Sequence, residues 1–398
     1  MPTTPAGPAA DEDAPPRLPA EAAPLAGLVV LDLTRWMSGP YACMLLADAG
    51  ADVVKVEPPE GETTRRLRPT LTDDDGTEVS GYFLRLNRRK RSVAVDLRSP
   101  AGRERFLELV STADVLVENF RPGVMAARGL AYERLREVNP RLVYCSITGF
   151  GHTDGPYRDW PAFNQVAEAA AGVVHWDSTG TVPSPVGPAV GDLFPSMHAV
   201  AGILMALLRR SLTGTGSFVD IAMYDSLVSF NEMAISWASM TGVDYHHGAN
   251  ANLNLAPYGF FPAADGYVCI GVATDPQWVS LCRAMGRDEL AQDPRLSTGP
   301  ARVRNNAELI DPLLREWLST RDKLDVAGSL AAAGVPAAPV QTGVEVLSCP
   351  QAASRGMIEQ VFAPGGGGWL LPGSPISFVP PFDAAPPCAP AVGEREAR

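Results

Sequence analysis

At 398 residues, 46% of them hydrophobic, the chain can fill the core of one large domain and of a smaller second one. Its formal net charge of −12 argues against general nucleic-acid binding, which neutralises phosphates with lysine and arginine, so any cationic site must be local. The longest uninterrupted apolar stretch, Ala199 to Leu208, is about half of the roughly 20 residues a membrane-spanning helix needs, so it reads as a buried helix and no membrane partner is expected.

Residues 1–24, rich in proline, alanine and acidic side chains, read as a disordered leader without the basic start and apolar centre of a secretory signal. Six scattered cysteines (Cys43, Cys145, Cys269, Cys282, Cys349, Cys388) without a CxxC pair fit a reducing cytoplasm. Leu28 to Leu33 is a short apolar run suited to a buried strand, and Gly39-Pro40 marks the loop-to-helix junction after it. Tyr41 to Ala49 reads as a helix stopped by Gly50, and Ala51 to Glu57 as a second strand ended by Pro58-Pro59. The alternation continues with a strand over Ser92 to Asp96, a helix over Pro100 to Ser111, a strand over Val115 to Glu118, a helix over Tyr132 to Val138 and a strand over Leu142 to Ile147. Such a βαβ series predicts an α/β fold with a parallel sheet covered by helices.

A strong helix signal runs from Gly191 to Arg210, followed by a strand over Phe218 to Met223. After Asp244 the pattern changes to a strand pair around Asp265-Gly266 and amphipathic stretches at Gln277 to Met285 and Asn306 to Ser319. The expected division is a large domain over 25–225, a linker over 226–250, a smaller α+β domain over 251–335, and a proline- and glycine-rich return segment with a tail over 336–398.

The first β–α turn, Arg35 to Pro40, with Glu57 downstream to meet a ribose, invites a dinucleotide-binding reading, but it has one glycine where that fingerprint has three. The basic run Arg85 to Arg91 reads either as a solvated loop or as an anion site, and Asn119-Phe120-Arg121 could add a ring and a charge at the same sheet edge. Asp192 stands at the start of the helix that has Pro195 in its first turn. It reads first as a helix cap, a role compatible with that of a nucleophile, because a helix N-terminus favours the ionised carboxylate that attack on a thioester requires. The five histidines form no HxxxH or HExxH pattern and there is no GxSxG elbow, so neither a metal site nor a serine hydrolase is expected.

In order and spacing these strings resemble the family III CoA transferases, the group of formyl-CoA and carnitine CoA transferases and α-methylacyl-CoA racemases. The resemblance rests on Leu25 to Leu33, Gly39-Pro40, Leu45 to Glu57, Asn87 to Ser92, Ala113 to Gly123, Ser146 to Gly151, Gly191-Asp192 and Arg209 to Gly216. It implies a Rossmann-like large domain joined to the smaller one, in a homodimer whose subunits interlink like chain rings. It implies that Asp192 is the nucleophile and that Asn87, Arg88, Arg89 and Lys90 line a CoA site. Asn119, Phe120, Arg121 and Arg128 are implied at the same site, with Thr148, Gly149, Phe150 and Gly151, and with Met37 and Ser38 from the first turn.

The implied activity moves CoA from an acyl-CoA to a free carboxylic acid through an aspartyl intermediate, with CoA as substrate and no permanently bound cofactor. Two departures bear on the substrate. Met37 stands where some formyl-type members carry glutamine, and Asn250 to Tyr258 lacks their glycine-rich loop, which disfavours formate or oxalate. The racemases' His-Asp pair is replaced by Phe163-Asn164, so an α-methylacyl-CoA racemase or epimerase is the rival enzyme and lacks its acid–base partner. A CoA-binding protein without turnover is the rival outside catalysis.

Overall fold

The computed structural model describes residues 17–176, 182–245 and 252–394, and they fall into two compact units. The larger is assembled from 1–173, 187–231 and 350–398, and the smaller from 174–186 and 232–349.

The larger unit holds a six-stranded, wholly parallel sheet. Its strands are β1 (Val29–Asp32), β2 (Asp52–Glu57), β3 (Arg91–Ala94), β4 (Val115–Glu118), β5 (Val143–Thr148) and β6 (Ser217–Ala222), in the spatial order β6-β5-β4-β1-β2-β3. This is the doubly wound order in which the chain switches direction between β1 and β4. Successive residues serve opposite faces and both faces are packed, which is why β1 and β4 read as apolar runs. On one face Val30, Val53, Val115, Val143 and Cys145 pack with Ala42, Cys43 and Leu46 of α1 (Ser38–Asp48). On the other, Leu31, Val54, Leu116 and Tyr144 pack with Phe106 and Val110 of the helix Pro100–Thr112. Gly50 ends the first crossover at φ +94°, a conformation that glycine adopts without steric penalty.

The long helix Val190–Thr213, hereafter α2, buries Ala199, Ile203 and Ala206 against the first face. The expectation of a buried helix holds for one side only. Leu204, Met205, Leu208 and Leu212 are 36%, 68%, 69% and 89% exposed, so an apolar stripe on its outer side is open. The helix is also long and apolar enough to cross a membrane by length and composition, although Asp192, Arg209 and Arg210 lie within it.

Residues 17–24, assigned to the leader, are instead tied down. Leu18 exchanges backbone bonds with Pro381 and Asp383, and Ala23 is buried; residues 1–16 lie outside the described residues. The return segment forms an antiparallel hairpin, Ile358–Ala363 with Gly366–Pro372, within the larger unit. In the smaller unit a three-stranded antiparallel sheet (Tyr258–Ala263, Gly266–Gly271, Ala337–Pro339) packs through Phe261, Val268 and Ile270 onto Trp278, Leu314 and Leu330. The segment read as a linker carries the end of the helix Met223–Phe230 and the helix Glu232–Thr241, while 246–250 lie outside the described residues.

Candidate active site

Where β1 and β4 diverge, Asn119 bridges the gap. Its Oδ1 accepts the Arg35 N–H and its Nδ2 donates to the Arg35 carbonyl, each at 2.8 Å. The same edge holds a cleft of about 350 Å³, lined by Leu33 and Arg35 after β1, Glu57 and Pro58 at β2, Arg98 after β3, and Phe120 and Arg128 after β4. Open doubly wound sheets bind ligands at this position. Arg35 lies 5.4 Å from the Phe120 ring centroid, and Arg66 adds another cation to the rim. Glu57 is not free to meet a ribose: Arg65 holds both its oxygens at 2.7 and 2.8 Å, and Ser92 donates to it.

The basic run is not the solvated loop its composition suggests. Lys90 is buried and donates to Asp32 at 2.8 Å, and to the Pro40 carbonyl and Asn87 Oδ1 at 2.9 Å each. Burial would raise the Asp32 carboxyl, but Lys55 and Lys90 more than offset it and hold the group at about 2. Arg88 forks onto Asp48 and reaches the Pro372 carbonyl. Arg89 bonds Asp48, Glu359 and the Ala385 carbonyl. A buried charge persists only when paired, and here the pairing joins α1 to the C-terminal hairpin. Charge reversal at Arg89 or Lys90 would therefore break pairs inside the fold.

Thr148 Oγ1 accepts the Gly151 N–H, and a Cβ on Gly149 would stand 2.5 Å from that of Ala162. Phe150 packs edge-on to Tyr157, and Arg121 is exposed beside a second cleft shared with His152 and Arg158. Met37 is the residue before α1, and the Ser38 carbonyl accepts Ser196 Oγ at 2.6 Å. Ser196 Oγ also bonds the Asp192 carbonyl at 2.7 Å, so the first turns of α1 and α2 are fastened together.

Asp192 does not cap its own helix. The cap position is Ala189, with φ +62°, and Asp192 sits within the first turn. The orphan N–H groups are capped by another helix, Asn164–Ala170: Asn164 Oδ1 accepts from Asp192 N at 3.1 Å, and Glu168 Oε1 from Gly191 N at 3.2 Å. A Cβ on Gly191 would stand 2.5 Å from the Asn164 carbonyl, so glycine is what allows this approach. With capping supplied by these neighbours, the Asp192 carboxylate forms no ion pair among the described residues. Burial pushes its carboxyl up to about 6, Glu168 adds to the rise, and Arg85 opposes it. Trp36 and Phe163, both exposed, meet edge-on at 5.6 Å next to Asn164.

Sequence reasoning missed Glu168, the capping role of Asn164, and the cleft arginines Arg35, Arg66 and Arg98. Asn164 and Glu168 do carry a signal, an i,i+4 spacing on one helix face, but nothing local names a partner more than 20 residues away. Among the described residues no group of three or more His, Cys, Asp or Glu could hold a metal ion.

Glu168→Gln keeps an acceptor for Gly191 while removing the charge that adds to the effect of burial on Asp192. If transfer requires ionised Asp192, the acid limb of its kcat/KM profile should move from about 6 to a lower pH. An unmoved limb would mean that Glu168 does not govern this carboxyl.

The candidate site thus combines a parallel doubly wound sheet, a cleft at its switch point lined by four arginines and four acids, and a carboxylate at a helix start that forms no ion pair among the described residues. The chain belongs to CoA-transferase family III, whose model matches residues 25–396. It is 41% identical over 376 residues to succinyl-CoA:mesaconate CoA-transferase of Haloarcula hispanica, covering 93% of this chain and 94% of that one. It is 37% identical to succinate–glutarate CoA-transferase of Agrobacterium fabrum, covering 85% and 86%. The crystal structure of a CaiB/BaiF family protein from Brucella suis superposes with a TM-score of 0.83 at 36% identity, covering 94% and 97%.

Proposed function

We propose that the protein moves CoA between dicarboxylic acids and that Asp192 carries it. The observation that supports this most is the state of Asp192: partly buried, unpaired, and held at a helix start by two side chains that leave its carboxylate free. The Asp192 carboxylate attacks the donor thioester, CoA thiolate leaves, and an acyl-aspartyl anhydride forms. The thiolate then attacks the aspartyl carbonyl, which releases the donor acid and leaves aspartyl-CoA. The acceptor carboxylate displaces the thiolate to give a second anhydride, and thiolate attack on the acceptor carbonyl regenerates Asp192. No net proton or electron is exchanged. The N–H groups of Gly191 and Asp192 are already engaged, so they are not oxyanion donors in this scheme.

We place the CoA phosphates on Arg35, Arg66 and Arg128, because Arg88, Arg89 and Lys90 are paired inside the fold and Arg98 is paired with Asp96. Asn119 and Phe120 belong to this site as its framework, with Met37 and Ser38 at its Asp192 end. A dicarboxylic substrate accords with the names of the relatives, which transfer CoA among succinate, mesaconate and glutarate. Cysteines that form no disulfide among the described residues accord with a cytoplasmic setting. Incubation with succinyl-CoA followed by hydroxylamine should convert Asp192 to its hydroxamate, located by peptide mass spectrometry. A label on another carboxylate, or none, would refute the mechanism.

The open stripe of α2, Leu204, Met205, Leu208 and Leu212, is a face that a second copy of the chain would cover. We therefore propose the homodimer. Sedimentation at micromolar concentration should show a dimer of the 42.2 kDa chain, and a folded monomer would contradict it.

A further inference from the structure

We propose that Arg85 binds the second carboxylate of the substrate acid and so selects dicarboxylic over monocarboxylic acids, an inference that rests on the transfer reading of Asp192. The helix Gly81–Asn87 is capped by Ser80, whose Oγ accepts the Phe83 N–H, and it buries Phe83, Leu84 and Leu86. Tyr82 and Arg85, three residues apart, share a face, and the guanidinium stands 4.3 Å from the Tyr82 ring centroid. Arg85 Nε is buried and has no hydrogen-bond partner, and among the described residues no carboxylate forms an ion pair with Arg85. Its neighbours in the fold behave otherwise. Arg65, Arg88 and Arg89 each fork onto a carboxylate.

Arg85 is nonetheless within electrostatic reach of Asp192, since its charge lowers the Asp192 carboxyl while Asp192 in turn acts on Tyr82. A guanidinium stacked on Tyr82, with a buried Nε that has no partner and a charge felt at the nucleophile, suits a ligand carboxylate, which would accept N–H bonds from it. An acid whose reacting carboxyl meets Asp192 would bring a second carboxyl on the same short skeleton to Arg85. The timing also fits. Once Asp192 carries CoA it has lost its negative charge, so Arg85 attracts an incoming dianion most strongly at the stage when the acceptor must bind.

Succinate and butyrate share four carbons and differ in the second carboxylate. In Arg85→Met, the ratio of kcat/KM for succinate to that for butyrate as acceptor should fall at least 100-fold, through KM for succinate. Arg85→Lys, which keeps the charge but loses the fork, should fall between Arg85→Met and wild type and guards against a folding defect in the first variant. A ratio unchanged in both variants overturns the proposal, including the case in which both acids slow equally because Arg85 acts only through Asp192. Hydroxamate formation on wild-type Asp192, run in parallel, separates the two readings. If the label forms and the ratio is unmoved, only the Arg85 assignment falls; if no label forms, both fall.

Discussion

Asp192→Asn should abolish CoA transfer and at the same time stabilise the protein. Loss of a covalent nucleophile typically costs on the order of 10⁴ or more in rate, and an amide cannot form the anhydride. Folding should survive, because Asp192 contributes its backbone N–H, not its carboxylate, to the cap that Asn164 provides. The gain in stability follows from the raised carboxyl. Folded Asp192 holds its proton up to about 6, above the ordinary 3.8, so its contribution is most favourable below about pH 4 and is lost as the pH rises through about 6. At pH 7.5 the ionised group is a burden that asparagine removes, by roughly 2 kcal/mol after allowing for the solvent it still meets. Urea denaturation at pH 7.5 and 3.5 should show the difference at the first pH and little at the second. Near-wild-type transfer by the variant would end the assignment of the nucleophile.

Lys90→Met should cost about 3–5 kcal/mol, the usual penalty for leaving the partner of a buried ion pair unmatched. The wholly buried ammonium satisfies Asp32, a backbone carbonyl and Asn87 together, and methionine replaces none of those bonds. Asp32 is held at about 2 in the fold, below its ordinary value. Its stabilising effect is therefore present above about pH 4 and disappears as the pH falls toward 2. The variant should lose most of this acid-side dependence as well. Arg91→Met is the control: its pair with Asp52 is 33% and 45% exposed and should be worth less than about 1 kcal/mol. If the two variants unfold at the same urea concentration, the buried network is not what holds α1 in place.

The sheet was legible because β1 and β4 carry apolar runs and short, mostly β-branched segments alternate with helix-period stretches along the chain, the pattern a parallel sheet packed on both faces demands. Asp192 was legible as a residue but not in its role. The cap reading required its side chain to reach the helix N–H groups, and two distant side chains do that instead. The basic run misled for a related reason. Four consecutive cations look solvated in a linear reading, and the acids that bury two of them lie at Asp32 and Asp48 in earlier elements. Pairing across 40 or more residues leaves no periodic trace. The hairpin after Ile358 was hidden by glycines whose approach to Asp73 and Asp74 only the folded chain reveals.

The stitching of Arg88 and Arg89 to Glu359, Pro372 and Ala385 also bears on how the chain comes off the ribosome. When synthesis has reached residue 349, all of the smaller unit exists, while the larger one still lacks its final piece. Until residues 350–393 emerge, Arg88 and Arg89 have only Asp48 between them, and Ser92 has not yet met Gly393. Domains generally fold as units during translation, N-terminal first. Here the unit that starts first closes last, so the nascent chain must carry an unfinished sheet edge through most of its synthesis.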